Sequence, residues 1–120
     1  KNYNYLLSKI IKKKTFDIVE FEKKPFYGSY YCLCIVIKDK KINRLEIINK
    51  LNSKGVGTSI YYPKPIPEMT YYKKKYKYSS SQFKNAEKFS YKSIALPLGT
   101  HLKKKDLNLI ANSINEIIKN

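Results

Sequence analysis

The sequence predicts a mixed α/β domain, layered in the α+β manner, with helices packed on a sheet of three to four strands. Three observations point there. Residues 29–38, SYYCLCIVIK, form a nearly continuous apolar run of β-branched and aromatic residues. Residues 107–118 carry an apolar stripe at helical spacing, Leu107, Ile110, Ala111, Ile114, Ile117 and Ile118, with Lys and Asn opposite. Between these two anchors, shorter extended and helical patterns succeed one another. A chain of 120 residues has room for one core.

Taken in order, Tyr3, Leu6, Leu7, Ile10 and Ile11 recur at helical spacing and predict an amphipathic helix over residues 1–13. TFDIVEFE alternates, with Phe16, Ile18 and Phe21 set against Asp17, Glu20 and Glu22, and predicts a short strand ended by Pro25. Residues 29–38 predict a central strand covered on both faces. Asp39 is the expected turn or cap before a helix whose apolar positions are Ile42, Leu45, Ile48 and Leu51, with Ile47 beside them. Gly55 is the expected left-handed C-cap. Residues 56–61 predict another strand. Pro63, Pro65 and Pro67 then exclude regular structure, because each fixes φ and lacks an N–H. TYYKKKYK predicts a helical turn or two, SSSQ a loop, NAEKFSYK a short helix, and SIALPL (93–98) a buried strand ending at Gly99. Lys103 stands where a capping Ser or Thr would precede the last helix, which predicts a weak cap.

A net charge of +16 invites a nucleic-acid reading. Against it, 24 of the 25 basic residues are Lys and only Arg44 is Arg. Guanidinium forks, the favoured tool for phosphates and base edges, are nearly missing. Lys, Asn, Ile and Tyr make up 61 of the 120 residues, the imprint of an AT-rich coding bias. No nucleic-acid partner is expected, although a modest positive potential can steer a small phosphorylated ligand. No apolar run reaches the roughly 18–20 residues of a membrane span, so no membrane partner is expected. Cys32 and Cys34 share one face of the predicted strand and are expected to be free thiols in a reducing, cytoplasmic setting.

Catalytic patterns are scarce. His101 is the only histidine, so no His-based metal site is expected, and no glycine-flanked nucleophile, P-loop or GxGxxG occurs. Lysine is the Schiff-base nucleophile of many carbonyl chemistries, but the runs Lys12–Lys14, Lys73–Lys75 and Lys103–Lys105 read as solvated faces. Lys64 differs, since Pro63 and Pro65 hold its backbone stiff.

Four blocks in order, GVGTSIYYPKPIP, YYKKKY, FKNAEKFS and SIALPLGTHL, resemble the C-terminal part of the DegT/DnrJ/EryC1/StrS sugar aminotransferases, across roughly residues 40–118. That family's pattern there is G-[IV]-x-T-x-x-[HY]-Y-P-x-P, an aromatic-rich segment, F-P-x-A-E, and S-L-P-L before a final helix. Departures are Lys84 for the usual Pro, Pro67 and Gly99 for common His positions, and the form S-I-A-L-P-x-G-x-H-L with His101.

The resemblance implies the small C-terminal domain of a fold-type-I enzyme over residues 1–120, with residues 1–14 as the interdomain helix. It implies that pyridoxal phosphate and its Schiff-base lysine belong to a large domain outside this chain, whose only Met is Met69. No catalytic, cofactor-binding or metal residue is therefore assigned here, and this segment alone is expected to be inactive. The whole protein is expected to move an amino group from glutamate or glutamine to a keto-sugar nucleotide, as a homodimer. A different class, a stand-alone lysine-rich module for RNA or another polyanion, is the alternative.

Within this frame Tyr61, Tyr62 and Lys64 are the candidate substrate-binding residues. An extended segment points successive side chains to opposite sides, so one of the two tyrosines is free to meet a ligand. A phenol offers a stacking face with a donor and acceptor, suited to a sugar ring or a base. Prolines lower the ordering entropy of such a loop, and Lys64 is placed to reach a diphosphate.

Overall fold

The structure is a computed structural model that describes residues 1–10, 15–19, 25 and 28–119. A three-stranded antiparallel sheet is built from β1 (Phe16–Ile18), β2 (Leu33–Ile37) and β3 (Ser93–Leu96), in the order β1-β2-β3. Ile35 lies opposite Ile18 on one side and Ile94 on the other. Every residue of β2 is buried, as the continuous apolar run predicts for a central strand.

The helices are α1 (Asn2–Lys9), α2 (Arg44–Ser53), α3 (Thr70–Tyr76), α4 (Lys84–Lys92) and α5 (Lys104–Lys119). One face of the sheet, with Leu33, Ile35, Ile37, Ile94 and Leu96, shares a single core with Tyr3 and Leu6 of α1, Ile47, Ile48 and Leu51 of α2, and Leu107, Ile110 and Ile114 of α5. Each such side chain, fully buried, contributes about 1.5–3 kcal/mol. The opposite face, with Cys34, Val36 and Ala95 also buried, is approached by α4, which contacts both β2 and β3. Arg44 braces the two layers: its guanidinium donates to the Ser90 carbonyl at the end of α4 and to the Ser93 carbonyl, the latter at 3.5 Å.

Several boundaries differ from the sequence reading. The predicted helix over 1–13, and the interdomain helix over 1–14, stops at Lys9; Ile10 is already extended, and the Asn115 side chain donates to the Lys9 carbonyl at 2.9 Å. Residues 11–14, and Glu20, Phe21 and Glu22 of the first predicted strand, lie outside the described residues. β2 begins at Leu33, not Ser29, because Tyr30 takes a positive φ of 51° that no ladder accommodates. Asn43, not Asp39, caps α2, accepting from the Leu45 N–H at 2.8 Å; Asp39 instead turns the chain by accepting from the Lys41 N–H. With the helix starting there, Leu45 is exposed and Ile47 takes its place inside. The prolines permit a 3-10 turn at Ile66–Glu68, and Ser80–Phe83, predicted as loop, forms another. The cap of α5 is better than Lys103 suggests, since the Asp106 carboxylate accepts from the Lys103 N–H at 2.8 Å.

Gly55 does end α2 in the left-handed region, at φ 78°. Its N–H donates to the Asn52 carbonyl, and the next N–H, of Val56, to the Leu51 carbonyl at 3.0 Å. This is a complete Schellman cap, and Leu51 and Val56 close it by packing in the same core.

Candidate functional site

The segment leaving Gly55 is held at two points before it turns outward. Val56 is 2% exposed. Ser59 then exchanges both backbone hydrogen bonds with Ala95 of β3. The predicted strand over 56–61 is reduced to this one bridge, so the strict alternation expected for Tyr61 and Tyr62 does not hold. Both rings are exposed, by 38% and 64%, and meet edge to face with centroids 6.2 Å apart.

Beside the bridge lies a groove of about 410 Å³ whose walls include Tyr31, Ser59, Tyr61, Pro97 and His101. Tyr31 approaches Tyr61 at 6.1 Å between ring centroids. The electrostatic effect of the Tyr61 phenol, followed by a hydrogen bond between the two, raises the pKa of Tyr31 above the ordinary phenol value. The Tyr31 hydroxyl therefore stays protonated at neutral pH and remains both a donor and an acceptor. Lys64 does not line this groove. It lines a different cleft of about 470 Å³ with Pro67, Glu68, Lys73, Tyr78 and Phe83. Of the three predicted residues, the fold brings Tyr61 and Tyr62 together and sets Lys64 in that other cleft.

Sequence reasoning missed two groove residues. Tyr31 was hidden inside an apolar run read as strand. His101 is explained by its neighbour: a Cβ on Gly99 would come within 2.5 Å of the His101 ring carbon Cε1. The spacing of Gly99 and His101, the point where the chain departs from the usual S-L-P-L pattern, was the legible signal for this ring.

Among the described residues no group of three or more His, Cys, Asp or Glu is placed to hold a metal ion. Cys32 and Cys34 are free, with Sγ atoms 3.6 Å apart. No helix among them is long and apolar enough to cross a membrane.

The sequence profile of the DegT/DnrJ/EryC1/StrS aminotransferase family matches residues 1–115. The chain belongs to that family. Its relatives include the uncharacterized protein MJ1066 of Methanocaldococcus jannaschii, 31% identical over 73% of this chain, and the spore coat polysaccharide biosynthesis protein SpsC of Bacillus subtilis, 27% identical over 74%. The chain spans less than a quarter of these relatives, 22% and 23% of their lengths. Among solved structures, Helicobacter pylori PseC, an aminotransferase involved in the biosynthesis of pseudoaminic acid, superposes with a TM-score of 0.82 at 20% identity, over 98% of this chain and 31% of its own. The fold is thus that of the sugar aminotransferases. Other solved structures of this fold, one of them a sugar dehydratase, hold pyridoxal phosphate or its PMP form.

The described residues of this family member do not fit that cofactor. A Schiff-base lysine works from a desolvated setting, and no described lysine is buried. The two half-buried ones are committed elsewhere, Lys54 to Glu116 at 2.9 Å and Lys92 to the Ile42 carbonyl at 3.3 Å.

Proposed function

We propose that this chain is the small C-terminal, substrate-facing domain of a nucleotide-sugar aminotransferase, residues 1–120 forming one unit. In this reading the whole, cytoplasmic protein takes an amino group from glutamate or glutamine and places it on a keto-sugar nucleotide. Pyridoxal phosphate and its lysine reside in a large domain, and two copies of the protein associate. The observation that carries the reading is a pair of exposed tyrosines, Tyr61 and Tyr62, on a proline-stiffened loop tied to the sheet at Ser59, beside a groove walled by Tyr31 and His101. Phenol hydroxyls and exposed ring faces suit a sugar ring, whose hydroxyls need both donors and acceptors.

The test is Tyr62→Ala in the full-length enzyme, with the two half-reactions measured separately. Use of the sugar nucleotide falls by about tenfold while the amino-donor half-reaction is nearly unchanged, the size of one lost ring contact. Equal losses in both halves would show that the tyrosine is structural. The 120-residue chain by itself, treated with pyridoxal phosphate and borohydride, gives no stoichiometric adduct on a single lysine. Such an adduct would place the cofactor here and overturn the division of labour.

A further inference from the structure

Cys32 and Cys34 take no part in the tyrosine chemistry, yet one of them opens into the same groove. Their Sγ atoms are 3.6 Å apart. Cys32 is half-buried and lines the groove with Tyr31, Ser59 and His101, whereas Cys34 is buried. The pair thus has one thiol that a soluble reagent reaches and a second that its neighbour reaches.

The two are held differently. Cys34 sits inside the ladder: its carbonyl accepts from the Val19 N–H at 3.0 Å, and it faces Ala95 in register. Cys32 precedes β2, in a stretch already bent at Tyr30, whose φ is 51°. Cys34 is therefore the fixed partner and Cys32 the movable one. Desolvation, followed by the hydrogen bond with Cys32, pushes the Cys34 thiol up to about 12. At neutral pH the first attack on a soluble reagent accordingly falls to Cys32.

Strand geometry sets what oxidation does here. An extended chain holds Cα atoms two residues apart at about 6.6–6.8 Å. That is the outer limit for a disulfide, whose Cα separation is commonly about 5.5–6 Å. Bringing the sulfurs to a bonding distance of about 2.0 Å shortens the chain between the two residues. Cys32 moves, and Tyr31 before it moves too. Tyr31 is the ring that approaches Tyr61, at 6.1 Å. Leu33, between the cysteines, is fully buried opposite Leu96 and resists the change. That resistance makes the bond easy to reduce again, as regulatory disulfides are.

We infer that Cys32 and Cys34 form an oxidation site for small disulfides such as oxidised glutathione, closing to a reversible intrachain disulfide that draws Tyr31 away from Tyr61. In the first step Cys32, as thiolate, attacks one sulfur of glutathione disulfide. That S–S bond breaks, and one glutathione thiolate leaves and takes up a proton. In the second step Cys34 gives its proton to solvent and attacks the Cys32 Sγ. The mixed disulfide breaks, and the second glutathione leaves and is protonated. Two protein thiols are oxidised and one glutathione disulfide is reduced to two glutathiones. Contact between the sulfurs offsets the high pKa of Cys34, because the second attack is intramolecular.

The experiment equilibrates the ¹⁵N-labelled 120-residue chain with reduced and oxidised glutathione at set ratios, quenches portions in acid, and reads intact mass and the NMR spectrum. The product is a monomer lighter by two hydrogens, in a fraction that rises with the share of glutathione disulfide and is independent of protein concentration. The nuclear Overhauser contact between the Tyr31 and Tyr61 rings is lost in it, and excess reduced glutathione restores that contact. Cys34→Ala stops at the mixed disulfide on Cys32. Cys32→Ser reacts more than about tenfold more slowly, because only the buried thiol is left. A mixed disulfide that persists in the unaltered chain, a disulfide-linked dimer, or closure only after unfolding in urea overturns the inference. So does an intrachain disulfide that leaves the Tyr31–Tyr61 contact in place. None of these readouts involves amino transfer, so the proposed function and this site stand or fall separately.

Discussion

Ser59 and Ala95 face each other across a single bridge, the Ser59 N–H donating to the Ala95 carbonyl at 3.0 Å and the Ala95 N–H returning the bond at 2.8 Å. Two residues later the chain reaches Tyr61. The loop is thus tied to β3 by two backbone bonds, with Ile60 packed against the core beside them. Ser59→Pro removes one donor, leaves the buried Ala95 carbonyl unpaired, and costs about 1–3 kcal/mol. Ser59→Ala keeps both bonds and is nearly neutral. Urea unfolding of the two variants checks this; equal midpoints would show that the bridge does not hold the loop.

Gly55 carries the C-cap of α2 at φ 78°, with open space where a Cβ would stand. Gly55→Ala therefore meets backbone strain and no clash, and destabilises by about 1–2 kcal/mol. Gly57 has equal space and no positive φ, so Gly57→Ala is close to neutral or mildly stabilising. A larger loss at Gly57 than at Gly55 in chemical denaturation contradicts this account.

Arg44 is the one guanidinium in the chain, and burial lowers its pKa from the ordinary arginine value. Its fork reaches two carbonyls, those of Ser90 and Ser93, that a lysine ammonium cannot span with the same geometry. Arg44→Lys costs about 1–2 kcal/mol, and amide exchange of β3 speeds up relative to β1. Unchanged protection in β3 would show that the brace is dispensable.

Cys34 is buried, and desolvation, followed by a hydrogen bond with Cys32, pushes its thiol from 9.0 up to about 12. A folded pKa above the unfolded one contributes stability that is complete below pH 9 and is lost as pH rises through about 12. The folded protein at pH 8 leaves Cys34 unalkylated by iodoacetamide, and the unfolded protein does not. Alkaline unfolding is shifted to higher pH in Cys34→Ala. Rapid alkylation of folded Cys34 contradicts the burial argument.

Reading the chain unaided found the central strand and the last helix, because each is a long apolar pattern whose period leaves one solution. It placed Gly55 correctly, since only a left-handed cap makes a glycine useful at that point. Of the two roles open to Asp39 the structure takes the turn, and the reading failed at Leu45. Ile42, Leu45, Ile48 and Leu51 fit a helical stripe as well as Ile47, Ile48 and Leu51 do, and only the capping hydrogen bond that Asn43 accepts from the Leu45 N–H fixes where the helix starts and which side faces in. The extended pattern of 56–61 also overran the fact, because β propensity describes a half-buried surface and only β3 decides how much of it is paired.

Family membership and the tyrosine loop were legible in GVGTSIYYPKPIP and its companion blocks, since prolines and glycines at fixed spacing constrain a backbone locally. Which rings surround that loop was not. Tyr31 and His101 stand 30 and 40 residues from Tyr61 in sequence. They meet it because β2 and β3 pair side by side and the Ser59 bridge lays the loop along β3. The separation of Lys64 from Tyr61 into a different cleft is likewise a tertiary result. The short 3-10 turn at Ile66–Glu68, with Tyr78 and Phe83 beyond α3, builds that cleft. Local chemistry chose the residues; long-range pairing, whose partners no local pattern names, decided their company.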